Sequence, residues 1–160
     1  MDRRPRPRHA VAMRRLDLPP LWLLAFGFLA WVIARADPWD LSLGRWTQLP
    51  AGLLIGGGLL LILVAVVQMR QHRTAVMPRR EASRLVTSGV FRRSRHPIYL
   101  GMALVLLGWV LRIDAPLALP LVPLFVWLIE RRFVVPEESA LALRFPAEFR
   151  RYAQATRRWL

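Results

Sequence analysis

Four apolar runs divide the chain, at residues 18–34 (LPPLWLLAFGFLAWVIA), 49–67 (LPAGLLIGGGLLLILVAVV), 98–111 (IYLGMALVLLGWVL) and 115–129 (APLALPLVPLFVWLI). A helix crossing a bilayer needs roughly 20 apolar residues. The second run carries no charge and meets this length, and the first nearly does. The third and fourth are short unless Arg95, Arg112, Arg131 and Arg132 extend them by sending their charged heads outward along apolar stems. Together they read as a helical hairpin turned at residues 112–116, RIDAP. The first run follows a basic stretch, as a signal peptide would. However, no small-residue cleavage site precedes Asp37 and further runs follow, so it reads as an anchor.

Beyond the fourth run the pattern changes. Pro136 suits the first turn of a helix, where its missing amide costs nothing. Glu137 and Glu138 follow at the positive end of the dipole. Leu141 and Phe145 share a face, Pro146 interrupts, and Phe149 and Tyr152 begin a second amphipathic stretch. The terminal RRWL has the composition of a membrane–water boundary. In the second run Gly52 and Gly56 form a GxxxG, followed by Gly57 and Gly58, which predicts close approach of a neighbouring helix and offers a face for a homodimer. The lysine and strand-to-helix context of a phosphate loop are missing. Pro116, Pro120 and Pro123 should disturb the early turns of the fourth run, whose freed carbonyls then need partners inside the bundle. The expected fold is an all-α integral membrane protein with about four transmembrane helices and a cytoplasmic, amphipathic C-terminal segment. It would form a single domain over 1–160: a basic tail (1–17), two spans (18–67) and a third part (68–160).

Composition sharpens this picture. Apolar residues make up 55% of the 160, and the net charge is +14. All 24 basic residues are arginine, and they flank the apolar runs, which argues against a nucleic-acid face. Six lie in 1–17, one in 36–48, eight between Met69 and Pro97, and seven from Glu130 onward, while the 112–116 turn is neutral. Basic and non-basic loops alternate, as the positive-inside rule requires of four crossings of the cytoplasmic membrane with both termini in the cytoplasm. There is no cysteine, so disulfides, thiolate metal sites and cysteine nucleophiles are excluded. His9, His72 and His96 lack carboxylates at metal-ligand spacing, so no metal site is expected.

Two polar clusters could carry chemistry. Arg92, Arg93, Ser94, Arg95, His96 and Tyr99 stand at the start of the third run. Glu137 and Glu138 stand just after the fourth. A hairpin brings both to the same side, where cationic donors facing carboxylates suit a zwitterion. Tyr99 offers a ring face to a cation. Taken singly, the arginines read equally as topology anchors, the glutamates as helix-dipole partners, and Tyr99 as part of an interfacial belt.

The succession LVTSGVFRRSRHPIYLG, an apolar hairpin, EESAL and RFPAEFRRYAQATRRWL resembles the isoprenylcysteine carboxyl methyltransferase family, with its relatives the phospholipid amine methyltransferases. The likeness covers roughly residues 70–160. It implies an integral-membrane methyltransferase using S-adenosylmethionine on a lipophilic acceptor, a carboxylate or a lipid amine. It further implies that Leu85 and Val86 line the cofactor, that Gly89 and Phe91 shape the turn, and that Arg95, His96, Tyr99, Glu137 and Glu138 bind it. Family members acting on a prenylcysteine carboxylate place an arginine four residues before the first glutamate. Here Phe133 occupies that position, leaving Arg131 and Arg132 as substrate-binding candidates. Two other classes share parts of the pattern: membrane reductases of the sterol type, which use NADPH and carry a similar Arg-His-Pro-x-Tyr signature, and non-catalytic proteins of the same fold.

Overall fold

Prolines mark where helices begin. In a computed structural model that describes residues 18–72 and 85–160, α1 spans Pro19–Arg35, α2 Gln48–Gln71 and α3 Pro97–Arg112. Then come α4 (Leu121–Ile129), α5 (Val135–Arg144) and α6 (Pro146–Ala155). Four of these six carry proline in their first two positions, where a preset φ helps. Among the described residues there is no strand, so the all-α expectation holds. The basic tail at 1–17 and the arginine-rich stretch 73–84 lie outside the described residues.

At 24 residues, α2 is about 36 Å long. Among the described residues it is the one helix long and apolar enough to cross a membrane. The 17-residue α1 and 16-residue α3 are apolar but shorter, each ending in an arginine. The expectation of about four spans therefore narrows to one that meets the length requirement outright. Exposure nonetheless separates this bundle from a soluble one. Leu24 is 69% exposed on α1, and Leu53 and Leu60 are 69% and 61% exposed on α2. An apolar helix whose large side chains face outward needs lipid or another apolar partner around it.

The α2–α3 seam is built from small residues, though not from the GxxxG pair. Ala51, Gly58 and Ala65 are the buried positions of α2, and their seven-residue spacing is close to two helical turns, which keeps them in line. They face α3, where Gly101 and Gly108 repeat the interval. A Cβ at Gly58 would lie 2.6 Å from the Gly101 carbonyl oxygen, and one at Gly108 2.8 Å from that of Ala51. Gly52, Gly56 and Gly57 have nothing within 4 Å, because they point away from α3.

Phe26 and Ala30 of α1 pack with Leu106 and Val110 of α3 and Phe125 and Ile129 of α4. Phe26 and Phe125 meet edge to face at 5.4 Å. At the far end of the bundle, the chain turns between α3 and α4 as the RIDAP reading expects. Asp114 adopts a left-handed φ of 53° there. Its carboxylate accepts from the Leu43 amide at 2.7 Å and from the Ser42 hydroxyl. That ties the α1–α2 loop to the α3–α4 turn, so the chain ends that carry chemistry gather at the opposite end.

Pro136 falls in the first turn of α5, as expected, yet no break separates that helix from α4. From α4 the backbone continues without interruption through a widened π turn, Glu130–Val134, into α5. Proline cannot donate to the carbonyl one turn earlier, and a register change is a common way to accommodate that. The second break does occur, at Phe145, where φ is −129° and ψ 60° and Pro146 starts α6.

Candidate functional site

Because Pro97 opens α3, His96 becomes its N-cap residue, with φ −130° and ψ 59°. Its side chain turns inward and is 5% exposed. One turn on, the Tyr99 ring stacks on it at 5.8 Å with an interplanar angle of 18°. The Tyr99 hydroxyl donates to Glu137 Oε2 at 3.1 Å, and His96 Nε2 lies 3.2 Å from Glu138 Oε1. Arg95 Nη1 stands 3.1 Å from the same oxygen. The hairpin thus brings Arg95, His96 and Tyr99 against Glu137 and Glu138, the convergence the zwitterion reading needed. The Nε of Arg95 is buried and has no hydrogen-bond partner.

The two glutamates differ electrostatically. Burial pushes the Glu137 carboxyl up, against the opposing influence of His96 and the Tyr99 hydroxyl. Burial acts on Glu138 in the same sense and is its largest single influence. Hydrogen bonds from His96 and Arg158 and the charge of Arg95 together outweigh it, holding that carboxyl down at about 2. Adjacent residues on one helix turn therefore have opposite tendencies: the Glu138 carboxyl is held below its ordinary range and the Glu137 carboxyl above it.

The other expected residues have partners of their own. Val86 and Phe91 are buried in a small apolar cluster with Ala65 and Tyr152, against which Leu85 packs. Gly89 has φ 61°, a backbone conformation that suits glycine. Its neighbour Val90 donates its amide to Gln68 Oε1 at 3.2 Å, fastening the loop to the end of α2. Leu85 also lines an open groove of about 540 Å³ with Thr87, Arg92, Arg151 and Tyr152. Arg131 and Arg132 are exposed, with their guanidinium groups over Trp127 at 5.9 Å and Trp22 at 5.5 Å. Phe133 is 3% exposed and tilts against Tyr99 at 6.4 Å.

Sequence reasoning missed the C-terminal strap, residues 156–160. Within the RRWL end, Arg158 and Trp159 turn to protein partners. Arg158 Nη2 binds Glu138 Oε2 at 2.6 Å, and its Nη1 binds Glu130 Oε1 at 2.5 Å. Trp159 packs against the main core and donates Nε1–H to Glu130 Oε2 at 3.4 Å. The Arg95 amide donates to the Arg157 carbonyl at 3.1 Å, and Tyr152 reaches the Phe91 carbonyl at 2.7 Å. One signal for Glu130 was present: it lies seven residues before Glu137, two turns of an unbroken helix. Reading Pro136 as a helix start hid it.

Comparison with known proteins gives a family. The family model described as phospholipid methyltransferase matches residues 46–148. A 63-residue stretch is 40% identical to an uncharacterized protein of Haemophilus influenzae, covering 39% of this chain and all of that protein. No solved structure matches.

Proposed function

Since this chain belongs to the phospholipid methyltransferase family, we propose that it is an integral-membrane methyltransferase that uses S-adenosylmethionine to methylate a lipophilic acceptor, in the manner of the isoprenylcysteine carboxyl methyltransferases and their lipid-amine relatives. The observation that carries this reading is the pairing of a buried, unpartnered Arg95 Nε with a Glu137 carboxylate that accepts only the Tyr99 hydroxyl among the described residues. A methionine moiety presents a carboxylate and an ammonium, and these two groups fit them. Arg95 would hold the carboxylate and Glu137 the ammonium, whose charge would draw the Glu137 carboxyl back toward ionisation. His96 and Tyr99 form a stacked wall beside them.

When bound, S-adenosylmethionine supplies an electrophilic methyl group on sulfonium. The contribution of the chain is then to orient and to exclude water. Phe133 tilts against Tyr99, so apolar side chains back the polar pair where a lipid-soluble acceptor and a polar cofactor would meet. Phe133, where an arginine would serve a carboxylate acceptor, favours a neutral or amine nucleophile, while Arg131 and Arg132 remain candidates for a lipid headgroup. In this reading α1, α2, α3 and the continuous helix that α4 begins supply four crossings, with the site and both termini at the cytoplasmic face, as the arginine distribution supports.

The test uses the full chain purified in detergent, with radiolabelled S-adenosylmethionine and NADPH as competing probes. Saturable binding of the former, lost in Glu137→Ala and His96→Ala, is expected. Transfer of label into a lipid extract of the host, followed by identification of the product, would assign the acceptor class. Binding of NADPH alone would replace the reading with a reductase, and unchanged S-adenosylmethionine binding in both variants would move the pocket elsewhere.

A further inference from the structure

We propose that Arg158, carried on the C-terminal strap, is a positioning residue of this site: it saturates Glu138 and Glu130 and so leaves Glu137 as the carboxylate that meets the ligand's cation. This rests on the reading given under Proposed function and adds to it a role for a residue remote in sequence from both motif clusters. Glu138 receives Arg95 Nη1 at 3.1 Å, His96 Nε2 at 3.2 Å, and Arg158 through Nε at 3.3 Å and Nη2 at 2.6 Å. The two Arg158 contacts fall on different oxygens of Glu138, a side-on fork that lysine cannot reproduce. The third nitrogen, Nη1, reaches Glu130 two turns back along the same helix. With both its oxygens engaged by protein donors, Glu138 has little capacity for a ligand, whereas Glu137 accepts one hydrogen bond.

The strap is itself fixed from the opposite side. The Ser94 hydroxyl donates to the Arg158 carbonyl at 3.3 Å, the Arg95 amide to the Arg157 carbonyl at 3.1 Å, and the Thr156 hydroxyl to the Arg92 carbonyl at 3.4 Å. One short segment therefore joins the RRSRHP turn to the fourth helix, and Arg158 is the side chain that closes the connection. Three carboxylates (Glu130, Glu137 and Glu138) face two guanidinium groups (Arg95 and Arg158) and His96. Among the described residues no guanidinium pairs with Glu137, so a ligand ammonium there would meet a carboxylate held by the Tyr99 hydroxyl alone. Glu138 in turn holds His96 Nε2 as a donor, because a carboxylate only accepts. The imidazole facing Tyr99 is thereby kept in one orientation.

The experiment measures labelled S-adenosylmethionine binding and thermal unfolding for the full chain in detergent, as wild type, Arg158→Met, Arg158→Lys, Glu138→Gln and the double variant Glu138→Gln/Arg158→Met. Loss of a fork on a half-buried carboxylate predicts affinity weakened by about tenfold in Arg158→Met, with partial recovery in Arg158→Lys. A residue acting through Glu138 predicts that the double variant binds no more weakly than Glu138→Gln alone. Wild-type binding with Arg158→Met unchanged, or losses that multiply in the double variant, would overturn the proposal and leave the methyltransferase reading standing. A wild-type chain that binds no S-adenosylmethionine would overturn that reading and this one with it.

Discussion

Placing a methyl group at Gly58 tests the bundle at its tightest point. The added Cβ would lie 2.6 Å from the Gly101 carbonyl oxygen, 2.9 Å from Val105 Cγ2 and 3.1 Å from the Val105 amide nitrogen, where ordinary contact begins near 3.4 Å. Two of these three atoms are backbone and cannot rotate aside, so α2 and α3 must part locally by about 0.8 Å, the gap between 2.6 and 3.4 Å. Forced separation of a packed interface costs about 1–3 kcal/mol, spread over many small dispersion contacts. Gly56 supplies the control two residues away. It has open space around it, and alanine there relieves the backbone entropy of glycine, worth about 0.5–1 kcal/mol. Gly58→Ala is therefore expected to lower, and Gly56→Ala to hold or raise, the unfolding midpoint in a single detergent. Intrinsic fluorescence from the seven tryptophans can follow it. A Gly58→Ala protein as stable as wild type, or a Gly56→Ala protein less stable than Gly58→Ala, would refute the seam.

Glu138→Gln should destabilise at pH 7. The wild-type carboxyl is held at about 2 against an ordinary 4.5, so its stabilisation is present above 4.5 and fades as pH falls toward 2. That interval is worth about 3 kcal/mol at full strength, reduced to about 1–2 kcal/mol by solvent reaching the Arg158 side. The melting difference between the two proteins should shrink on acidification from pH 7 to 3, and a difference independent of pH would count against the clamp. Tyr152→Phe removes the bond to the buried Phe91 carbonyl and should cost about 1–3 kcal/mol, read by denaturant titration, with no cost if that carbonyl finds another donor. Gly89→Ala forces a left-handed φ of 61° on a residue with a side chain, at about 1–2 kcal/mol. It should also loosen the loop held by Gln68, visible as faster amide exchange at Val90, and unaltered exchange would argue against that geometry.

By itself the sequence determined the helical class, the positions of the apolar segments and most of the helix starts. Those depend on local properties: long apolar runs, proline with its preset φ, and arginine at the run ends. Pro97 before the third run and Pro146 after Phe145 could be read one residue at a time. The RRSRHP and Glu137–Glu138 clusters were legible too, and a hairpin at 112–116 sufficed to bring them together. Tertiary structure decided the rest. Seven-residue spacing, and not the more conspicuous GxxxG, selects the seam, because Gly58 faces α3 while Gly52 and Gly56 point away from it. The helix passes through Pro136 because a widened turn accommodates the missing donor, and no local rule ranks that above a break. Arg158 joins the site because the strap folds back over 60 residues of chain to the RRSRHP turn. Its charge alone could not distinguish a lipid headgroup from Glu138, since both are anions, and only the folded path of the chain determines which one it meets.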